Sequence, residues 1–446
     1  MLVRRTMRLS VVEGSLTQIL LNWTTGSVLV GYLLHLGATP TQIALASSMP
    51  LLAQVASPFG AWVAEVMGRR KVVVATLAAI GRASWIIGAL LPALAVPDAA
   101  RPVLLVALVF FAMTFQAATA TVWTAWMGDV VPEARRGSYF GMRAGVLGVV
   151  GMAANLAAGA FLDRVAAPLS FQLVLGVAIV ASLVAVALLL FHYDPPTEQR
   201  KVGLGELFRV PLADKNFRRF LTFAIYWQFV VMLGGPFVVP YWLEDLHMTF
   251  TQIAYWSTIN AVTALLATMQ WGRVADRIGN KPVLAVGTFL AGALLPTTWI
   301  LAGLTGDLTY IWLSGFFDAI AWGAIGPSVF SLALGAAPRS RRVTFIAMYS
   351  LVQGVAGFAG GALAGPLLGL LQSFSAPGWL PAWSGYHSLF VVTGVGRMLA
   401  WLFVRRVAEP RAWRTRDLLR GGRHAPAGSH GGRAGGSRRG RGRSKL

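Results

Sequence analysis

The sequence contains no cysteine, which excludes disulfides, cysteine nucleophiles and thiolate-bound metals. Acidic residues are scarce, with 17 Asp and Glu against 38 Lys and Arg in 446 residues. Charged residues of both signs make up 12% of the chain, about half of what an ordinary soluble domain carries. Six histidines are present and no pair has metal-ligand spacing; neither His-Glu-x-x-His nor Gly-x-Ser-x-Gly occurs. No lysine follows a glycine, so a phosphate-binding loop ending Gly-Lys-Ser/Thr is impossible and the chain alone is not an ATP-driven pump. These absences predict a protein that is not an enzyme and has no cofactor and no metal. The low hydrophobicity of disordered chains is missing too: 56% of residues are hydrophobic and the mean hydropathy is +0.63.

What is present is a series of long apolar runs. A membrane-spanning helix needs about 20 apolar residues. Twelve segments qualify: residues 11–36, 42–66, 72–95, 102–127, 138–161, 169–192, 219–243, 251–272, 282–304, 308–335, 343–371 and 386–405. They are called spans 1 to 12 below. The N-terminus superficially resembles a signal peptide, because Arg4, Arg5 and Arg8 precede an apolar run. Glu13, Gln18 and Asn22 interrupt that run and no small-residue cleavage site follows, so an uncleaved first span is expected.

The cations fall into a pattern. With alternate connections assigned to opposite sides, 33 of the 38 Lys and Arg lie on the side of the termini and two, Arg101 and Arg164, on the other. Three lie within spans: Arg82, Arg143 and Arg397. Such a split is a positive-inside signal. It predicts an integral protein of the cell (inner) membrane with both termini cytoplasmic.

An internal repeat divides the chain. Thr41-Gln42-Ile43-Ala44 reappears as Thr251-Gln252-Ile253-Ala254, and each follows a loop threonine, Thr39 or Thr249. Gly60 recurs as Gly272, each opening a basic loop, and Phe110-Phe111 as Phe316-Phe317. Pro132 with Arg135-Arg136 recurs as Pro338 with Arg341-Arg342, and Gly148, Gly151 and Gly159 as Gly354, Gly357 and Gly365. The predicted organisation is therefore two six-helix halves of the same orientation, residues 1–192 and 219–405. A polar cytoplasmic connection, 193–218, joins them, and a basic disordered tail, 406–446, follows. Parallel repeats of this kind are an architecture of secondary transporters.

Gly272-Arg273-Val274-Ala275-Asp276-Arg277-Ile278-Gly279-Asn280-Lys281 resembles the loop signature of the major facilitator superfamily. The copy in the first half, from Gly60 to Lys71, has Glu65 for the aspartate and keeps Gly68-Arg69-Arg70-Lys71. Asp129 through Gly137, followed by Gly141 and Arg143, is similar to a further stretch of that superfamily. The resemblance covers residues 10–405 and implies an all-α membrane protein of twelve transmembrane helices that works as a permease. The drug–proton antiporter subclass is unsupported: Gln116 precedes Ala117 where that subclass has a Gln-Gly pair, and Met152 follows Gly151 where it has a proline.

Several residues of the signature suggest a gate. Gly60 and Gly272 would let helices approach closely, and Gly68 and Gly279 suit a tight turn. A carboxylate is favoured at the positive N-terminal end of a helix. Glu65 is expected to meet the start of span 11 near Arg342, and Asp276 the start of span 5 near Arg136, while the basic side is closed. Arg69, Arg70, Asp129 and Arg277 complete the expected gate. The plainer reading is that these loops only orient the protein in the membrane.

Polar residues recurring on single helical faces mark a candidate substrate path. Span 1 carries Ser15, Gln18, Asn22 and Thr25; span 4 carries Gln116, Thr119, Trp123 and Trp126. Span 8 carries Trp256, Asn260, Thr263 and Gln270, and span 10 Ser314, Asp318 and Trp322. Tyr226 and Gln228 in span 7 and Tyr349 and Gln353 in span 11 complete the set. The competing reading of each face is helix–helix hydrogen bonding. The resemblance implies that spans 1, 4, 7 and 10 line a central cavity.

Asp318 lies near mid-bilayer, where a charged carboxylate costs about 2.5–3.5 kcal/mol on insertion scales. It is the first candidate for proton coupling, or else for a substrate cation or a structural ion pair. Glu13 is the second, unless it only complements a helix N-terminus. Arg82 and Arg397, on spans that the resemblance makes peripheral, are expected to snorkel to lipid headgroups.

The tail from Arg405 holds 13 cations and two acids in a Gly/Arg/Ser-rich sequence. It is either a solvated segment or a patch attracted to anionic lipids. The expected partners are a small organic solute, the lipid bilayer, anionic lipids at the tail and protons, acting on a monomer. The alternative to a secondary transporter is a non-transporting receptor or scaffold on the same fold.

Overall fold

The computed structural model describes residues 2–195, 206–336, 342–374 and 383–409, and among these the chain is helical with no strand. Each of the twelve expected spans coincides with a helix or a broken helix. Span 1 is Leu2–Thr25 continued by Ser27–His35 after a break at Gly26. Span 2 is Pro40–Ala53, a 3₁₀ turn and Ser57–Met67, interrupted just beyond Pro50. Span 3 is Arg70–Ala83 with Trp85–Leu90, span 4 Arg101–Val130, span 5 Arg136–Leu162 and span 6 Leu169–Leu189. Span 7 is Lys215–Gly234 continued by Val238–Glu244 after Gly235-Pro236, span 8 Phe250–Ile278, span 9 Asn280–Thr305 and span 10 Thr309–Ala336. Span 11 is Arg342–Phe374, and span 12 Gly385–Leu399 with Trp401–Val404. The breaks in spans 1, 2 and 7 fall at or near glycine and proline, where the helical hydrogen-bond ladder is weakest, and those in spans 3 and 12 at Ser84 and Ala400.

Ten of these helices are long and apolar enough to cross a membrane; the first and eighth are not. Those two carry the polar faces of Glu13, Gln18 and Asn22 and of Trp256, Asn260 and Gln270. Glu13, Asn22, Trp256 and Asn260 are turned toward other helices, which cover them, whereas Gln270 is exposed. The connection between the halves contains a short helix, Glu206–Ala213. Residues 196–205 and the basic tail from 410 onward lie outside the described residues.

The repeated Thr-x-x-Gln has a local cause. Thr39 and Thr249 each accept a hydrogen bond from the backbone N–H of Gln42 or Gln252, whose side chain accepts from the threonine's own N–H. This reciprocal cap starts spans 2 and 8 in the same way. Gly68 and Gly279 both adopt positive φ, +60° and +95°, as the tight turns after those spans require. A second repeated tie joins spans 1 and 3 and spans 7 and 9: Tyr32 donates to Gly88 O at 2.8 Å and Tyr241 to Trp299 O at 2.9 Å.

The halves touch at one end. Span 11 lies against span 2 along Gly354, Gly357, Gly361 and Gly365. A Cβ at Gly354 would come 2.6 Å from Leu51 O, one at Gly361 2.5 Å from Ser48 Cβ, and one at Gly365 would collide with the Thr41 backbone. On the opposite flank Gly159 of span 5 meets the backbone of Phe250 and Thr251, where a Cβ would sit 2.8 Å from Phe250 O. Asp163 closes this contact by accepting from the N–H groups of Phe250 and Thr251, both at 2.9 Å.

Toward the basic loops the halves part. A Cβ at Gly137, Gly141, Gly145 or Gly148 on span 5, or at Gly272 on span 8, would meet nothing within 4 Å. The close approach expected at Gly272 is therefore absent from this conformation, and the helix runs through it to Ile278. Gly60 does make a close approach, but to Ala118 of span 4 in its own half, at 2.7 Å.

Candidate functional site

A cavity of about 250 Å³ lies within the first half, lined by spans 1, 3, 4, 5 and 6. Gln18, Gln116 and Trp123 line it, as their helical spacing predicts. The spacing did not reveal what else lines it. Glu13 is 3% exposed and faces two arginines, Arg82 Nη2 at 3.3 Å and Arg143 Nη2 at 3.8 Å. Thr17 donates to the same carboxylate at 2.9 Å. Arg82 also donates to Ser182 O at 3.1 Å, linking spans 1, 3 and 6. The Arg143 guanidinium lies 4.2 Å above the Trp123 ring, and its Nε donates to Ser10 O at 3.2 Å. Gly14 makes room for it, since a Cβ there would collide with the Arg143 guanidinium. Ser10 in turn hydrogen-bonds the Tyr139 hydroxyl.

Two expectations are corrected here. Arg82 does not snorkel to lipid; it is 3% exposed and ion-paired with Glu13 inside the first half. Arg397 does not reach a headgroup either. It is buried, lies 6.0 Å over the Trp299 ring and points one N–H at Ala291 O. A charge with a buried counter-charge or carbonyl to bond gains more inside the bundle than by stretching to the surface. Glu13, for its part, does more than complement a helix end, because it holds two guanidinium groups.

Asp318 accepts from Asn260 Nδ2 at 2.7 Å, and the same amide donates to Gly315 O at 3.3 Å. Spans 8 and 10 are thus joined by the two residues that the sequence singles out on their faces. No ion pair reaches Asp318 among the described residues. Arg397 is the cation whose charge it faces. Trp322 lies beside it on span 10, edge-on to Trp227 at 5.8 Å.

The remaining path residues divide. Asn22 donates to Gly151 O at 3.0 Å and accepts from Gln18, so it ties span 1 to span 5. Gln228 is half-buried against Gly357 at the junction of spans 7 and 11, and Gln353 is half-buried on span 11. The Tyr349 ring lies tilted against Phe220 at 5.4 Å. Two residues are packing elements rather than path. Trp126 is fully buried and donates to Tyr193 O at 3.0 Å. Tyr226 stacks on Phe403 at 4.3 Å and donates to Gly396 O, facing span 12 and not the centre.

Of the gate residues, Arg70 and Asp129 pair at 2.5 Å within the first half. Arg136 caps its own turn by donating to Val131 O. Arg69, Asp276 and Arg277 are exposed at the parted end. The side chains of Glu65 and Arg342 lie outside the described residues. Sequence reasoning missed Arg143 and Arg82 as site residues, although an arginine inside an apolar run was itself the signal. It also missed Asp163, for which the acid following span 5 gave only a charge count.

A model of the Major Facilitator Superfamily matches residues 14–237 and again 228–430. No curated protein matches the sequence. Among solved structures the chain is similar to a D-xylose-proton symporter, with 16% identity, 92% of this chain and 98% of that one covered, and a TM-score of 0.70. It is also similar to the nucleoside transporter NupG, with 14% identity, 92% and 99% coverage, and a TM-score of 0.67. A third is the xylose transporter XylE from E. coli in an inward-open conformation, with 16% identity, 90% and 96% coverage, and a TM-score of 0.64. At these identities the likeness is one of fold.

Proposed function

The chain belongs to the Major Facilitator Superfamily, a family of membrane transporters, and on that premise we propose that it is a secondary active transporter moving a small organic solute by alternating access. The observation that carries this reading is the one-sided meeting of the halves. Spans 2 and 11 and spans 5 and 8 are in contact at the end opposite the basic loops, the acidic end, where Asp98, Asp163, Glu244, Asp245 and Asp307 lie, while spans 5 and 8 part toward the basic loops. The cavity holding Glu13 lies on the parted side of that contact. A rocking of one half on the other would close the basic end and open the acidic one.

Glu13 and Asp318 are the proton-exchanging carboxylates in this reading. Both sit within spans, each held by hydrogen bonds that a protonated carboxyl can also make. The basic end faces the cytoplasm of the cell membrane, as the distribution of Lys and Arg supports. Asp276 and Glu65 latch that side when it closes.

The test uses sealed proteoliposomes loaded with a pH dye and challenged with sugars, nucleosides and organic acids, with and without an imposed pH gradient. A solute that drives proton movement, with the movement lost in Asp318→Asn or Glu13→Gln, supports the proposal. Solutes that shift the protein's unfolding temperature but never cross the bilayer favour a receptor or scaffold.

A further inference from the structure

We propose that the cavity in the first half binds a small organic anion, through a carboxylate or phosphate group held between Arg143 and Arg82. This deepens the transporter reading by naming a substrate class, and the binding part of it stands without transport.

The cavity is lined by one carboxylate, Glu13, and two guanidiniums, Arg82 and Arg143. With all three ionised the site keeps one positive charge in an apolar setting, where an uncompensated charge is expensive. Other titratable groups nearby do not cancel it. Tyr139, on span 5, is a neutral phenol at ordinary pH. His192, beyond the end of span 6, is buried, and that burial holds it below its ordinary value and therefore neutral.

Hydrogen bonding points the same way. Three buried polar atoms on cavity-lining residues have no partner among the described residues: Arg82 Nε, Thr119 Oγ1 and Trp123 Nε1. Thr119 and Arg82 are each only 3% exposed. Arg82 Nε and Trp123 Nε1 can only donate, so the missing partner is an acceptor. An anionic group with several oxygens supplies acceptors and the missing charge together. A guanidinium fork is shaped for that group. Arg143, the more exposed of the two arginines, is the one a ligand would reach first; its side chain is 15% exposed against 4% for Arg82.

Glu13 already occupies part of both arginines, so it and the ligand compete for the same donors. Removing the Glu13 charge, by substitution or by a proton, strengthens anion binding. This gives the cavity a built-in link between proton and anion occupancy, with Arg82, Arg143, Tyr139 and His192 as the groups around it.

The experiment measures binding to purified full-length protein by thermal shift and calorimetry. The probes share one shape: benzoate and phenyl phosphate as anions, benzamide as the neutral form and benzylamine as the cation. Benzoate or phenyl phosphate is expected to bind while benzamide and benzylamine do not. Arg143→Gln should weaken binding by about tenfold or more, and Thr119→Val by roughly fivefold. Glu13→Gln should tighten it, an outcome a merely structural role would not give. Benzylamine binding in place of the anions would overturn the proposal.

The source of the anion is separated by reconstitution in phosphatidylcholine alone or with phosphatidylglycerol. Binding of benzoate in both supports a soluble ligand. Protection by phosphatidylglycerol with no benzoate binding in either would assign the charge to a lipid headgroup and overturn the proposal. If benzoate binds without crossing the bilayer, the anion site stands and the transporter reading falls. If benzylamine crosses and benzoate neither binds nor crosses, the reverse holds.

Discussion

Spans 1 and 5 and spans 7 and 11 occupy equivalent places in the two halves, and they meet through opposite chemistry. In the first half Ser10 bonds Tyr139 and Glu13 faces Arg143 at 3.8 Å. In the second half Phe217 meets Phe345 edge-on at 4.6 Å, and Phe220 lies 5.4 Å from Tyr349. The sequence offset between the partners is 207 on the first helix of each pair and 206 on the second, so these are the same positions of the repeat. The contact geometry survived duplication and the side chains did not. One half carries an ionic cluster of Glu13 with Arg82 and Arg143. The other is an aromatic wall, continued by Phe223 and Trp227.

The buried arginines show a second exchange between the halves. Arg82 reaches from span 3 to a carbonyl of span 6, Ser182 O. Arg397 reaches the opposite way, from span 12 to a carbonyl of span 9, Ala291 O. Each half thus places one cation at the same interface from opposite sides. In the first half the cation is paired with Glu13; in the second it faces Asp318 without a direct pair. The halves therefore respond differently to loss of a partner.

The largest effect expected is for Glu13→Ala, which leaves two guanidiniums without a counter-charge. Breaking a buried ion pair costs about 3–5 kcal/mol, to be read as a lowered unfolding temperature in detergent. Adding Arg82→Met and Arg143→Met should restore most of the loss, because an apolar replacement of the whole cluster removes the unpaired charge. Phe220→Ala should cost about 3–5 kcal/mol through the cavity it leaves, and no charge change elsewhere should rescue it. Rescue of both variants, or of neither, would break the contrast between the halves.

Smaller effects test the meeting of the halves. Gly365→Ala forces its Cβ against the backbone at Thr41 and should shift the equilibrium by about 1–3 kcal/mol toward a parted acidic end. The same change at Gly369, which meets nothing, should not do so and should stabilise its helix by up to about 1 kcal/mol. Asp163→Asn removes the charge that holds the start of span 8, worth about 1–2 kcal/mol. It should raise the labelling rate of a single cysteine introduced at the acidic end. The natural chain has no cysteine to compete for label.

Much of the fold was legible because membrane helices announce themselves by composition. The Thr-x-x-Gln repeat was legible as a pattern and became a reciprocal helix cap in the structure. Gly354, Gly357 and Gly365 were legible as members of the repeat, though the surface they pack against, span 2, was not. Periodicity assigns residues to a face without saying what the face meets. Trp123 and Trp126 illustrate this: read on one stripe of span 4, one lines the cavity and the other is sealed against Tyr193. Arg82 and Arg397 were misread for the same reason. An arginine in an apolar run reads alike whether its partner is a headgroup or a carboxylate 69 positions away in the chain, as between Glu13 and Arg82.

Sequence alone determined the number of spanning helices, the duplication and the uneven charge of the two faces. These depend on local composition and on the free energy of placing each residue type in lipid or water. Tertiary structure alone decided which buried charges meet and where the halves touch or part. Those outcomes depend on distances between groups far apart in the chain, and the energy of a buried charge is set by its nearest partner.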